Sequence, residues 1–143
     1  MYVRQVPELT AEGARRLVDA ALAHAATLGM VISVVVVDRG GSPLAVHRMD
    51  GTPRFTMTVA EKKAWTAAVG GAPSDVLRDA FSENPLVISV MAPKLDDLML
   101  LGGAVPVLVD GQIAGAVGVS GGSEEQDQQV AAAAVAALGL GGA

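Results

Sequence analysis

Residues 103–120 read GAVPVLVDGQIAGAVGVS. Two runs rich in β-branched residues, 103–110 and 112–120, flank Asp110-Gly111. That dipeptide marks a tight hairpin turn, because both residues tolerate the positive φ such turns require. Gly115 and Gly118 interrupt the second run, where a missing Cβ marks close approach by another element or by a ligand. Upstream, VISVVVVD (31–38) is dense in valine and too short for a typical helix, so it reads as a central strand. Asp38-Arg39-Gly40-Gly41 supplies turn residues, and SPLAVHRM (42–49) returns as a second strand, with Pro43 suited to a strand entry or a sheet edge. Two local hairpins weigh against a doubly wound parallel sheet, whose strands need long crossovers.

Helical spacing accounts for most of what remains. In TAEGARRLVDAALAHAATLG (10–29), Ala14, Leu17, Val18, Ala21, Leu22, Ala25 and Leu28 share one face. Thr10 suits the N-cap, Glu12 the first turn and Gly29 the stop. FTMTVAEKKAWTAAVG (55–70) follows, with Val59, Lys63, Thr66 and Ala67 near one face and Gly70-Gly71 at its end; PSDVLRDAF (73–81) is a shorter helix. Ser123 and Gln126 match a capping box at the head of SEEQDQQVAAAAVAAL (123–138). Residues 82–101 hold two prolines and no sustained period, so loops, a short helical turn and a short strand near Leu98 to Leu101 are expected. The tail, 140–143, is expected to be loose. The order helix, hairpin, helices, hairpin, helix predicts an α/β fold: an antiparallel sheet with terminal helices across a face, in one domain spanning 1–143.

Composition removes several functions. The absence of cysteine excludes disulfides, thiolate metal sites and cysteine nucleophiles, and fits a reducing, cytoplasmic setting. A net charge of −5, and Tyr2, Phe55, Trp65 and Phe81 as the whole aromatic set, leave neither a basic face nor stacking platforms, so no nucleic acid is expected as a partner. The polar N-terminus has no signal-peptide core and no apolar run is long enough to span a bilayer, so no membrane is expected either. Hydrophobic residues make up 51%, mostly small ones, which permits close layer packing and leaves apolar surface that a homo-oligomer could cover.

Several residues are candidates for chemistry, each beside a plainer role. Asp38 can handle a proton at a pocket mouth, or simply accept backbone bonds in its turn. His47 and Met49, on one face of their strand by alternation, can each ligate haem iron, and Arg48 on the other face can clamp a carboxylate or propionate, or pair with Asp50 or Asp38. Lys63 lies among small residues, where a lysine can snorkel, meet an anionic ligand or act as a desolvated base. In GVSGGSEEQD (118–127), glycines lead into a helix N-terminus, but Glu124 and Glu125 already occupy its positive end and disfavour a phosphate. Glu125 and Asp127 can accept ligand protons or serve as caps. His24 occupies a helix-surface or packing position, and no ligand spacing links it to His47, so no metal site is expected.

The same segments resemble the GlcG/HbpS family, which also takes in the C-terminal domain of PduO-type cobalamin adenosyltransferases. The likeness runs from Leu9 to Leu138 and rests on LTAEGARRLVDAALAHAATLG, VVVVDRGGSPLAVHRMDG, KAWTAA (63–68), GGAVPVLVDGQIAGAVGVSGG and EQD (125–127), in that order. It implies a profilin-like fold with a five-stranded antiparallel sheet flanked by N- and C-terminal helices. It also implies homo-oligomers, haem as a cofactor and a link to haem degradation. Three functions follow. The first is a haem- or tetrapyrrole-binding protein with His47, His24 or Met49 as iron donor and Arg48 or Lys63 as propionate cation. The second is a catabolic isomerase or lyase, in which Lys63 or Arg48 holds a small anionic carbonyl or hydroxy acid and Asp38, Glu125 or Asp127 shuttles a proton. The third is a non-catalytic small-ligand sensor or accessory protein. Whether the chain is an enzyme stays open at this level.

Overall fold

The computed structural model describes residues 2–141. Thr10 Oγ1 accepts the Gly13 N–H at 3.0 Å and opens α1 (Ala11–Thr27), which buries Ala14, Leu17, Val18, Ala21 and Ala25. The first hairpin is β1 (Ser33–Asp38) and β2 (Pro43–Arg48). Then come α2 (Phe55–Gly70), α3 (Ser74–Ser82), α4 (Pro85–Met91) and a 3-10 turn over Ala92–Lys94. The second hairpin, β3 (Ala104–Val109) and β4 (Gln112–Ser120), leads into α5 (Glu124–Ala137). At the start of α5, Ser123 Oγ accepts the Gln126 N–H and Gln126 Oε1 accepts the Ser123 N–H, the reciprocal cap that the spacing predicts.

The sheet is antiparallel throughout, in the order β2-β1-β4-β3. β1 is flanked by strands on both sides and its valines, 34–37, are buried. Val34 and Val36 join the core under α1 and α5, while Val35 and Val37 join the alanine-rich core under α2. A strand covered on both faces needs an unbroken apolar run rather than alternation, which is what the valine stretch provides. Each buried valine contributes roughly 1.5–3 kcal/mol through surface removed from water.

Both β4 glycines are explained by neighbouring elements. A Cβ on Gly118 would overlap the Ala60 carbonyl oxygen and lie 2.8 Å from Ala64 N, so α2 rests directly on the β4 backbone there. A Cβ on Gly115 would overlap the Val37 carbonyl oxygen and crowd the Leu9 side chain.

Three expectations are corrected. Among the described residues the sheet has four strands, not five: Leu9 N–H reaches Ala114 O and Leu108 N–H reaches Gly141 O by single hydrogen bonds, which add no further strand. No strand forms near Leu98 to Leu101. Side-chain bonds tie that segment to α2 instead, Lys62 Nζ to Asp96 O at 3.0 Å and Met99 N–H to Thr66 Oγ1 at 2.8 Å. The tail is held as far as it is described, since Leu140 packs on the core and Gly141 bridges to Leu108; residues 142 and 143 lie outside the described residues.

Candidate functional site

Lys63 and Asp127 come from helices on opposite faces of the sheet and meet at the sheet's end, where β3 begins and β4 finishes. Lys63 Nζ donates to Asp127 Oδ2 at 3.1 Å and to Val119 O at 3.1 Å. The two residues are 3% and 2% exposed, so the pair is withdrawn from water. The second Asp127 oxygen accepts the Gly122 N–H at 2.8 Å. Gly103, at φ 136°, lies against the pair: a Cβ there would stand 2.7 Å from Lys63 Nζ and 2.6 Å from Val119 O. Only glycine combines that backbone conformation with that proximity.

Further polar side chains hold the same stretch of backbone. Glu124 Oε1 accepts the Gly102 N–H at 2.6 Å and Arg78 Nη1 at 2.7 Å. Gln128 Oε1 accepts the Gly103 N–H at 2.6 Å, and its amide nitrogen donates to Ala104 O at 3.0 Å. Ser74 Oγ accepts the Ala104 N–H at 3.0 Å. Residues 102–104 are thus held by side chains of α3 and α5, with Lys63 of α2 beneath. The Gly102 N–H, and then Arg78, hold the Glu124 carboxyl below its ordinary range. The hydrogen bonds that Arg78 donates to Asp79 and then to Glu124 push it further above its already high value, so it is cationic at every accessible pH.

The register locates the other candidates. His47 faces Val34, and Val34 faces Val119, so His47 lies at the same sheet end as Lys63 but two strands away, about 10 Å at ordinary strand spacing. Its neighbour Arg48 faces Ser33, on the α2 side of the sheet, whereas His47 lies on the α1 side. Both are exposed on the edge strand, and Arg48 makes no ion pair among the described residues. Met49 is half-buried against the core, and its sulfur accepts the Ile32 N–H at 3.3 Å. His24 spans the α1–α5 seam, with Nε2 3.4 Å from Gln129 Nε2. No hydrogen bond among the described residues joins the two histidines. Asp38 stands at the opposite end of β1, where its Oδ1 accepts Gly40 N–H at 2.9 Å and Ser42 N–H at 3.0 Å. Glu125 is exposed. Of the sequence candidates, the structure therefore joins Lys63 to Asp127 and leaves Asp38 far from both. Among the described residues no group of three His, Cys, Asp or Glu side chains could hold a metal ion, and no helix is long and apolar enough to cross a membrane.

Sequence reasoning overlooked Arg78, Gln128 and Ser74. The Arg78–Glu124 contact spans 46 residues and carries no local signature.

A family model described as "Haem degrading protein HbpS-like" matches residues 9–136. The chain belongs to the HbpS-like family. A protein of 15.0 kDa in the dhaT-dhaS intergenic region of Citrobacter freundii is 30% identical over 132 residues, covering 92% of this chain and 93% of the relative. Protein GlcG of Escherichia coli is 42% identical over 89 residues, 62% of this chain and 63% of GlcG. Among solved structures, HbpS matches at a TM-score of 0.86 with 33% identity, covering 96% of this chain and 94% of that one. PduOC, whose crystal structure is a haem complex, matches at a TM-score of 0.85 with 29% identity, covering 94% of this HbpS-like chain and 97% of its own.

Proposed function

We propose that this HbpS-like chain binds haem or a closely related tetrapyrrole. The observation that carries the reading is the likeness, over nearly the whole chain, to PduOC, whose structure is a complex with haem. The chain's own residues fit the group. His24 and His47 carry imidazoles outside the buried core, as iron donors require. Arg48 is exposed on the edge strand and in no ion pair among the described residues, so its guanidinium is free to meet a propionate. Lys63 does not suit one, because meeting a propionate would strip Asp127 of its buried partner. Met49 is the weaker donor, its sulfur already engaged.

The Lys63–Asp127 pairing also bears on catalysis. The proton-transfer reading needs a free lysine and a free carboxylate close together, and these two neutralise each other. The pairing favours ligand holding, as in a sensor or accessory protein, over isomerase or lyase chemistry by the protein's own side chains. Haem degradation would draw its redox chemistry from the bound haem, with the chain fixing its orientation. We further assign the chain to the cytoplasm, as a homo-oligomer of single domains spanning 1–143.

Haemin titration followed in the Soret region tests this reading. A saturable shift at a fixed ratio to protein, lost in either His24→Ala or His47→Ala, supports it and identifies the donor. A spectrum matching free haemin overturns it. Loss of the Soret band with iron release, on adding a reductant in air to the loaded protein, separates degradation from binding.

A further inference from the structure

On the outer side of α2, away from both histidines, α3, α4 and the 3-10 turn fold over a cavity of about 280 Å³. Trp65, Leu77, Phe81, Met91, Leu95 and Leu98 supply most of its wall. One wall residue, Thr66, carries a hydroxyl, and that hydroxyl is already spent: it donates to Lys62 O at 2.8 Å and accepts the Met99 N–H at 2.8 Å. The pyrrole edge of Trp65 packs against Gly41, where an added Cβ would touch Nε1 at 3.0 Å. What remains toward the cavity is predominantly carbon and sulfur.

We propose that this cavity is a binding site for a small, neutral, hydrocarbon-like molecule, of which a monocyclic aromatic is the type. Size and polarity select that class. A dry apolar cavity of roughly 150 Å³ suffices for benzene, so about 280 Å³ admits a substituted ring or a short alkyl chain. A charged ligand would lose its hydration and find no counter-charge in the wall, where no lining residue is ionisable. Entry is provided by the cover. Neither α4 nor the 3-10 turn has a buried residue, and Leu86 and Val90 are exposed on α4. An element anchored so lightly opens at low free-energy cost compared with the sheet. The site is separate from the haem reading and stands or falls independently of it.

Trp65 is the sole tryptophan, so it reports on this cavity alone. Protein labelled with 5-fluorotryptophan is titrated with toluene and the single 19F resonance is followed. A saturable shift in the parent, weakened at least about tenfold (about 1.4 kcal/mol) in Val69→Phe, supports the site. Val69 lines the cavity and is half exposed, so a larger side chain there can fill it without entering the core. Leu98→Phe, which narrows the cavity from the other side, gives an independent second arm and is expected to weaken toluene similarly. A linear, non-saturating response overturns the proposal, as does an equal affinity in both folded variants. Haemin titration of the same samples is expected to be unchanged by toluene, and competition between the two would overturn the separateness of the site.

Discussion

Replacing Lys63 by methionine keeps the length and most of the volume of the side chain but removes its charge. Asp127 then remains at 2% exposure with the Gly122 N–H as its one remaining partner. At 3.1 Å, two unit charges attract by about 5 kcal/mol at an effective dielectric constant of about 20. Part of that attraction offsets the cost of taking both ions from water, so the pair itself adds little net stability. Breaking it from one side has a larger effect, typically about 3–5 kcal/mol, because the surviving charge stays buried. With a urea m-value of about 2 kcal/mol per molar, that lowers the unfolding midpoint by about 1.5–2.5 M at unchanged slope. Asp127→Leu should cost a similar amount by stranding the lysine. The Lys63→Met/Asp127→Leu double variant should cost at least about 2 kcal/mol less than the sum of the singles, since no unpaired charge remains. Equilibrium urea unfolding of the four proteins, followed by circular dichroism, reads all three quantities. Additive losses, or single losses below about 1 kcal/mol, would refute the claim that these two helices are electrostatically joined through the sheet end.

Gly118→Ala places a Cβ into the α2 backbone and should destabilise by about 1–3 kcal/mol or prevent folding, seen as a lowered urea midpoint. Ser123→Ala removes half of the reciprocal cap on α5 and should cost about 1 kcal/mol in the same assay, with Ser123→Asp recovering most of it. Glu124 titrates below its ordinary range, so its contribution to stability is full at neutral pH and is lost as pH falls through its lowered folded value. Parent and Glu124→Gln stabilities should therefore converge as pH falls below about 4. A gap that stays constant well below that pH would remove the Gly102–Glu124–Arg78 contact from the account.

What could be read from residues alone was whatever is encoded locally. Asp110-Gly111 announced its hairpin because turn geometry depends on two neighbouring φ angles. Thr10 and Ser123 announced their helices because a cap lies within three residues of its target. Residues 82–101 resisted because α4 is stabilised neither by burial nor by a side-chain cap, leaving no periodic signal to find. The fifth strand that the family resemblance implies is absent among the described residues, where the edge contact of Leu108 with Gly141 is a single hydrogen bond and not a strand. At the site, Lys63 and Asp127 were each picked out, but their partnership was not. It joins residues 64 apart and depends on two helices reaching around one sheet end, which no spacing rule expresses. For Asp38 the sequence leaves open a proton-handling role and a turn role, and its bonds to Gly40 and Ser42 N–H fit the turn, at the far end of the strand from Lys63.

The burial of β1 on both faces has a consequence for how the molecule exchanges its amide hydrogens. The amides of Val34–Val37 are bonded within a strand that has neighbours on either side and helices above and below. They should exchange with deuterium only through opening of the entire sheet, so their rates measure the global free energy of unfolding. Amides of α4 should exchange orders of magnitude sooner, by a local excursion that leaves the sheet closed. The two sets give independent clocks in one chain: a ligand under α4 would slow the second clock while leaving the first nearly untouched.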